Sequence, residues 1–504
     1  MRAILVACAL LSLSCGIYAG YSTAVIAGAK EGMGKELGFT EEDVGITGIL
    51  VSSILVGAFF ASMVCGPPTD KYGRRPVSLV AAVVATVATF GTFLTPASWG
   101  VWAVIVARFV QGTALGVFTF AVPVYVSECS PPRLRGVMGT CFQLSLTFGI
   151  FLAYVANVTL KEHWRWQMAL CTVPCVAMFC ILLFASETPR WLVAQQREEE
   201  ARPLLESIMG LAHADAEMDA IAEQVALARQ RPARGFGVLF TKRLRKPLLI
   251  GIVLCFAQQA TGINAVIFYA PDIIADAGFF DSENPRVDDY ILLLIGLWNF
   301  LTTVFALKLV SKFGRRPLML VSVTVMSLAL SVLAASFFLT DDKGIIKVGW
   351  LAPVSLGALF VYIGFFEFGP GPLFFLMLSE LFPVDVRAVA SSLTTAVQWV
   401  VNITVSATFP LLSKRLGPEW AFAFYGGVGV IVVLLLASVL VETKDKTLEQ
   451  IQDELAGRTA PPPPDAFSSY QALDDDAAIT VNDQRLYVDS DLARPYESTR
   501  DEIY

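Results

Sequence analysis

Charged side chains and histidine are scarce in this chain of 504 residues. Charged residues make up 16% of the sequence, whereas typical soluble domains contain about 25%. The two histidines, His163 and His213, fall in predicted loops, so the apolar segments offer no histidine for metal binding or proton relay. No set of nucleophile, base and orienting residue is apparent, nor a cluster of metal ligands, which argues against an enzyme and against a cofactor.

Disulfides and nucleic-acid binding are also disfavoured. None of the nine cysteines lies in a predicted outer loop, so we expect free thiols. The net charge is -7, and nucleic-acid binding depends on a concentration of positive charge. The sequence therefore argues against a nucleic-acid partner.

Long apolar segments are abundant. Hydrophobic residues make up 55% of the chain, and the mean hydropathy is +0.62. A helix needs about 20 apolar residues to cross a bilayer. Twelve segments approach or exceed that length, at 3–27, 46–66, 77–94, 101–122, 137–157, 168–185, 248–275, 290–310, 318–339, 351–378, 388–412 and 420–441. We therefore predict an all-α membrane protein with twelve transmembrane helices in a lipid bilayer.

The first segment begins almost at Met1 and admits a second interpretation. Arg2 followed by an apolar stretch from Ile4 to Leu13 resembles a secretory signal peptide. A cleaved signal implies a soluble mature domain, whereas apolar segments continue along nearly the whole chain. The first segment is therefore interpreted as a retained transmembrane helix.

Basic residues are concentrated in alternate loops. These loops contain Lys71, Arg74 and Arg75, then Arg133 and Arg135, then several residues within 190–246, then Lys312, Arg315 and Arg316. Because short cytoplasmic loops retain Lys and Arg, both termini are predicted to be cytoplasmic. We expect a monomeric, multi-pass protein of the plasma membrane.

Three motifs occur twice, each time after the corresponding span. The pairs are Asp70–Pro76 with Ser311–Pro317, Glu128, Pro131 and Arg135 with Glu380, Pro383 and Arg387, and Glu187-Thr188 with Glu442-Thr443. Repeats in register indicate two homologous six-helix halves, the plan of a major facilitator transporter. The predicted division is an N-terminal bundle at 1–194, a cytoplasmic linker of amphipathic helices at 195–246, a C-terminal bundle at 247–443 and a largely disordered cytoplasmic tail at 444–504.

The repeated motifs combine acids with arginines on the predicted cytoplasmic side. They suggest ion pairs between helix ends that close the inner mouth and must break for it to open. The alternative is simple anchoring by basic residues, which leaves the paired glutamates unexplained. The candidate cytoplasmic gate consists of Asp70, Arg74, Glu128, Arg135, Glu187, Arg315, Glu380, Arg387 and Glu442.

The motifs together resemble those of the sugar porter family of the major facilitator superfamily, from about Gly20 to Ile451. The segments that carry the resemblance are 20–29 (GYSTAVIAGA), 66–75 (GPPTDKYGRR), 123–136, 186–191 (SETPRW), 258–264 (QQATGIN), 369–372 (GPGP) and 441–444 (VETK). The resemblance implies movement of hexoses, pentoses or polyols by alternating access, either by uniport or coupled to protons.

Amide side chains within the spans are the candidate sugar ligands. A sugar hydroxyl both donates and accepts, and an amide matches it without a charge. The amides are Gln143, Gln258, Gln259, Asn264, Asn299, Gln398 and Asn402. One or two of these amides could instead form hydrogen bonds between neighbouring helices.

The resemblance adds Glu367 near the site, Phe375 and Trp399 as an aromatic platform, and Phe268 and Tyr269 as an outer gate. Packing is the alternative role of these aromatic residues.

Gly262 and the Gly-Pro pairs at 369–372 are predicted to break their helices beside the cavity, because glycine and proline destabilise helix interiors.

The resemblance also singles out Ser22 and Arg108. Proton-coupled members have an aspartate at the third position of the GYSTAVIAGA motif, paired with an arginine of the fourth span. Here Arg108 is present, but the acid is replaced by Ser22. A hydroxyl with no pKa near neutrality cannot carry the proton. We therefore expect a facilitative hexose uniporter; a proton-coupled sugar or inositol symporter that uses Glu367 is the alternative.

Two further departures concern gating and specificity. Ser311 replaces the acid that often begins the second-half motif, which should weaken the inner gate and favour the inward-facing state. Cys255-Phe256-Ala257 precedes the paired glutamines where some glucose carriers have Gln-Leu-Ser. The preferred sugar is therefore open between glucose, fructose and a polyol.

Overall fold

The chain is described by a computed structural model over residues 2–40, 43–230, 236–276, 287–339, 351–383, 386–444, 446 and 448–456. Within these ranges the regular elements are helices, with short 3-10 turns at Ala97–Trp99 and Phe236–Phe240. The α-helices are α1 (Arg2–Ala24), α2 (Ile26–Leu37), α3 (Val44–Val64), α4 (Gly66–Tyr72), α5 (Arg74–Leu94), α6 (Gly100–Glu128), α7 (Pro132–Thr159), α8 (Trp164–Ala169), α9 (Thr172–Phe184), α10 (Pro189–Ala194), α11 (Glu198–Met209), α12 (Leu211–Gln230), α13 (Arg245–Gln259), α14 (Ile263–Phe268), α15 (Ala270–Asp276), α16 (Val287–Lys312), α17 (Arg315–Phe337), α18 (Leu351–Phe368), α19 (Pro370–Leu381), α20 (Arg387–Leu416), α21 (Pro418–Val439) and α22 (Leu448–Ala456).

Twelve segments of the described chain are helical, long and apolar enough to cross a membrane, which confirms the predicted number. The first span differs from the prediction in its end. Val25 keeps helical backbone angles between α1 and α2, so the helical path extends beyond Ala27 to Leu37. The predicted apolar segment ends at Ala27 because Lys30 and Glu31 interrupt the apolar pattern. Apolar residues indicate which part of a helix lies in the membrane, not where the helix itself ends.

The two six-helix halves face each other along two helix pairs. The first half contains the spans from α1 to α9, and the second contains those from α13 to α21. Within the first half, α3 packs along α6 and α1 along α7. Between the halves, α3 packs along α20 and α7 along α16. The space between the halves is therefore bordered by helices of both.

Glycines make the closest contacts between helices. A Cβ atom on Gly112 of α6 would lie 2.0 Å from the backbone oxygen of Ile54 in α3. A Cβ atom on Gly20 of α1 would lie 1.9 Å from the backbone oxygen of Leu146 in α7. Because lipid tails are as apolar as the side chains, close backbone packing of small residues drives such association.

The segment 195–246, predicted to be a helical linker between the halves, contains α11 and α12, and α10 directly precedes it. The face of α11 that contains Ala201, Leu204, Leu205 and Ile208 is buried, at the spacing of an amphipathic helix. Trp191 of α10 packs in the same apolar cluster. Within α11 the buried residues thus lie on one face, as the predicted amphipathic pattern requires. We call the membrane side that carries this linker the linker side, and the opposite side the distal side.

Two spans are interrupted at the predicted positions. In the seventh span, α13 ends at Gln259 and α14 begins at Ile263, and Gly262 between them has a φ of 92°. A positive φ is accessible to glycine at little cost. In the tenth span, α18 ends at Phe368 and α19 begins at Pro370. Both breaks free backbone groups in mid-span, and both predictions are confirmed.

The predicted tail at 444–504 falls mostly outside the described residues. Only α22 and a few residues before it are described. Ile451 and Leu455 of α22 are buried in the apolar cluster of the second half.

Gly112→Ala should destabilise the first half. The added methyl group meets backbone, which cannot rotate away, so α3 and α6 must separate, at a cost of about 1–3 kcal/mol. Thermal unfolding of the purified protein in detergent measures the loss. Gly91→Ala in α5 is the matched control, because a Cβ atom there has no other group within 4 Å. Equal melting temperatures of the two variants would contradict the expectation.

Candidate functional site

A chain of amides lies beside the break in the seventh span. The Gln398 amide donates to Gln258 Oε1 at 2.6 Å, and the Gln258 amide donates to the backbone oxygen of Gly371 at 3.4 Å. The Asn264 amide donates to Gln259 Oε1 at 2.5 Å. Four of the predicted amides therefore meet at one place: three lie on the broken span α13–α14, Gln398 lies on α20, and the break before α19 supplies the Gly371 oxygen.

Glu367 lies at the centre of a contact between the halves. Its side chain is 2% exposed and accepts hydrogen bonds from Gln143 Nε2 at 3.3 Å and from Thr303 Oγ1 at 3.1 Å. Gln143 belongs to α7 in the first half, whereas Glu367 and Thr303 belong to α18 and α16 in the second. The predicted acid and one predicted amide are thus brought together across the interface.

Asn299 is a buried amide whose polar atoms lack partners among the described residues. It precedes Thr303 by one turn of α16 and is 2% exposed. Within the described chain, neither its amide nitrogen nor its amide oxygen has a hydrogen-bond partner. The indole nitrogen of Trp399, next to Gln398, is likewise buried without one. Buried polar groups are rarely left unpaired, so these donors and this acceptor suit a ligand rich in hydroxyl groups.

The two predicted outer-gate residues lie on the distal side. Phe268 is buried, and the hydroxyl group of Tyr269 donates to the backbone oxygen of Ser406 at 3.2 Å. The Tyr269 ring stacks on Phe409 with 5.4 Å between centroids. Asn402, one turn before Ser406, accepts a hydrogen bond from its hydroxyl group at 3.2 Å. Asn402 is therefore engaged with its own helix in this conformation.

Phe375, the other half of the predicted aromatic platform, is 51% exposed and packs edge-on against Phe374 at 4.9 Å.

Sequence reasoning missed the contacts that join the halves on the distal side. Lys30 of α2 forms an ion pair with Asp272 of α15, and Lys161 forms one with Asp289 of α16. The Tyr154 hydroxyl group of α7 donates to a backbone oxygen of α14 at 2.8 Å. No motif or repeat in the sequence links these charged residues, which lie far apart in the chain.

On the linker side, the predicted acids and arginines pair within each half. Arg74 Nη2 lies 3.3 Å from Glu128 Oε1, and the Thr188 hydroxyl group donates to Glu128 Oε2 at 2.6 Å. The second half repeats the arrangement: Arg315 Nη2 lies 3.3 Å from Glu380 Oε1, and the Thr443 hydroxyl group donates to Glu380 Oε2 at 2.5 Å. We call these two groups the linker-side clusters.

Arg135 and Arg387 had been predicted to belong to this gate. Their side chains lie outside the described part of the chain.

Glu187 and Glu442 bind the first turns of the helices that follow the repeated motifs. Glu187 accepts from the backbone N–H of Arg75 at 3.0 Å, and Glu442 accepts from those of Arg315 and Arg316 at 2.9 and 3.1 Å. Burial raises the pKa of Glu187. Burial also acts on Glu442, but backbone N–H donors outweigh it and lower the pKa of that carboxyl group. The two halves therefore differ electrostatically at equivalent positions.

The two halves also differ at the equivalent positions Asp70 and Ser311. Asp70 lies 3.4 Å from Arg74, whereas the Ser311 hydroxyl group donates to the backbone of its own helix. The second cluster therefore lacks the acid that the first one has at this position.

Ser22 and Arg108 are both buried in the first half. The Ser22 hydroxyl group donates to the backbone oxygen of Ala19 at 3.4 Å. Arg108 Nε donates to the backbone oxygen of Leu50 at 3.1 Å. The described residues supply no carboxylate to Arg108, so no ion pair forms at the predicted coupling position.

Comparison with solved structures defines the class of protein. The inward-open conformation of the Escherichia coli xylose transporter XylE matches with a TM-score of 0.74 and 26% identity, over 89% of this chain and 99% of that one. XylE is a protein of the major facilitator superfamily. The chain therefore has the major facilitator fold, with twelve spans in two halves.

Comparison of sequences defines the family. The family model described as "Sugar (and other) transporter" matches residues 7–455. The mouse solute carrier family 2 facilitated glucose transporter member 8 is 31% identical over 90% of this chain and 94% of its own length. The arabinose-proton symporter of Bacillus subtilis is 28% identical over 87% of this chain and 92% of its own length. The chain belongs to the sugar transporter family; it is a multi-pass membrane transporter and not an enzyme.

Asn299→Ala should weaken sugar binding about tenfold or more, because a neutral hydrogen bond contributes about 1 kcal/mol and the amide can make two. Competition of labelled-sugar uptake measures the change. Without sugar, the thermal stability should not fall, since no described partner is lost. Gln195→Ala, which removes an exposed amide from the linker, is the control. The role assigned to Asn299 is wrong if both variants bind sugar equally well.

Ser311→Asp should shift the protein toward the state closed on the linker side. The new carboxylate takes the position that Asp70 has beside Arg74 in the first half, and an exposed pair of this kind is worth about 0.5 kcal/mol, or roughly a twofold change in populations. Spin labels at the equivalent exposed positions Tyr72 and Phe313, in a background without native cysteines, report the distance between halves.

The short-distance population should increase in Ser311→Asp and not in Ser311→Asn. An unchanged distance distribution in both would show that Asp70 and Ser311 do not influence the gate.

Proposed function

We propose that this protein is a facilitative uniporter of a hexose such as glucose and works by alternating access. The observation that carries the proposal is the neutral coupling position, where Ser22 supplies a hydroxyl group and Arg108 has no described acidic partner. Coupling to protons requires a group that gains and loses charge near neutral pH, and serine does not. The similarity to a facilitated glucose transporter supports the same conclusion.

The sugar would bind between the halves, against the amide chain and Asn299. Gln258, Gln259 and Asn264 offer both donors and acceptors, as the hydroxyl groups of a hexose require. Gln143 approaches from the first half through its bond to Glu367. A sugar that replaced the hydrogen bond between Gln143 and Glu367 would contact both halves. It could then be released to either side of the membrane, depending on which side is open.

The observed contacts fit one stage of that cycle. On the distal side the halves are joined by two ion pairs and by the Tyr154 hydrogen bond, whereas the linker-side clusters each connect helices of one half. This pattern fits a state that is open on the linker side. We assign the linker side to the cytoplasm and place both termini there.

The remaining assignments follow from the same scheme. We propose a monomer in the plasma membrane, with functional units at 1–194, 195–246, 247–443 and 444–504. Asp70, Arg74, Glu128, Arg135, Glu187, Arg315, Glu380, Arg387 and Glu442 then stabilise the linker-side gate by holding the helix ends of each half as rigid units.

A proton-coupled sugar or polyol symporter is the second candidate, and Glu367 favours it. Glu367 lies within the tenth span, and its side chain is only 2% exposed. A carboxyl group there, bonded to both halves, could be protonated in one conformation and ionised in the other. One similar protein is an arabinose-proton symporter.

Uptake of labelled glucose into proteoliposomes, with and without a proton gradient, separates the two candidates. The uniporter should equilibrate the sugar at the same final level in both conditions. Accumulation above equilibrium that a protonophore abolishes would overturn uniport. In that case Glu367→Gln should lose accumulation and keep exchange of sugar. Competition by fructose, xylose and inositol identifies the preferred substrate, and no flux of any of them would refute the hexose assignment.

A further inference from the structure

Arg108 is a buried cation whose charge is not compensated. Its side chain is 0% exposed, and its Nε atom donates to the backbone of α3. Neither Nη1 nor Nη2 has a hydrogen-bond partner among the described residues. A guanidinium group does not lose its proton in proteins, so the charge persists. An isolated charge in a protein interior is strongly unfavourable unless it is paired.

The surrounding side chains do not supply the missing charge. Tyr18 and Cys171 lie close enough to interact electrostatically with Arg108, and both are fully buried. The Tyr18 hydroxyl group donates its proton to the backbone oxygen of Gln111 at 3.1 Å. A phenol and a thiol are neutral under ordinary conditions. These groups give the site polarity, but a negative charge must come from elsewhere.

We propose that Arg108 binds a small monovalent anion, such as chloride, through its two terminal nitrogens. One negative charge neutralises one guanidinium group. One turn along each helix, at Gly112 and Ile54, α6 and α3 pack backbone to backbone, so the proposed ion is a small one. A water molecule could satisfy the hydrogen bonds, but it would leave the charge uncompensated. The site is distinct from the amide cluster at the interface between the halves.

Ser22 provides a way to test this site from within the protein. It follows Tyr18 by one turn of α1, so the two residues share a helix face, and both are buried. Since Tyr18 lies beside Arg108, a carboxylate at position 22 would approach the same guanidinium group. It would then take the place of the anion.

The first experiment compares thermal unfolding of the purified, sugar-free protein in sodium chloride and sodium gluconate at equal ionic strength. The melting temperature should rise by about 3 °C or more with chloride and reach a plateau, as for a ligand that binds only the folded state. Bromide should act like chloride. The same melting temperature in chloride and gluconate would overturn the proposal and leave water as the occupant.

Ser22→Asp should lose the dependence on chloride, and its melting temperature in gluconate should match that of the wild type in chloride. Ser22→Asn, which adds similar bulk without charge, should keep the wild-type dependence. Arg108→Gln should also lose it. Equal chloride responses of Ser22→Asp and Ser22→Asn would show that any bound anion lies elsewhere.

The wild-type protein provides a test that does not rely on the folding of variants. Crystals grown in bromide should show an anomalous peak within hydrogen-bonding distance of Arg108 Nη1 and Nη2. The absence of a peak there would refute the proposal even if chloride stabilises the protein. Sugar transport enters none of these measurements, so their outcome is independent of the uniport hypothesis.

Discussion

In the hydrocarbon core of a membrane, polar groups of the protein must find partners within the protein. This constraint makes all twelve spans helical, since a helix satisfies its own backbone. It also explains where the polar side chains lie. The amides around Gln258, the carboxyl group of Glu367 and the guanidinium group of Arg108 all face other helices rather than lipid. The groups left without partners, Asn299 above all, are informative because the constraint is otherwise obeyed.

Close packing of backbones is the second condition for function. Gly20 and Gly112 let neighbouring helices within the first half approach to contact distance. Backbone contacts therefore hold the first half together, whereas α3 with α20 and α7 with α16 join the two halves. The breaks at Gly262 and Gly369 lie in the second half, beside the amides. The candidate site thus lies beside two spans in which the helix is interrupted.

The linker-side clusters show how a duplicated sequence gives a duplicated structure. Glu128 and Glu380 each accept from an arginine at 3.3 Å and from a threonine hydroxyl group. The duplication is not complete, because Asp70 has no acidic counterpart at Ser311. The two halves therefore differ in charge at equivalent positions of the linker-side clusters.

Much of this protein was predictable from the sequence. The twelve spans followed from apolar length, because the bilayer sets the minimum length of a helix. The two halves followed from repeated motifs, and the breaks at Gly262 and Gly369 followed from the backbone chemistry of glycine and proline. The polar residues of the candidate site were also recognisable, because a polar side chain in a span is costly and needs a reason.

Other features were decided by the tertiary structure alone. The sequence suggested that Glu128 and Glu380 form ion pairs, but the partners Arg74 and Arg315 depend on how the helix ends meet. The distal ion pair between Lys30 and Asp272 joins residues far apart in the chain, and no periodicity links them. Which groups enter the membrane follows from residue type, because transfer free energy depends on it. Only the packing of helices decided which groups meet there, because pairing depends on distance and direction in three dimensions.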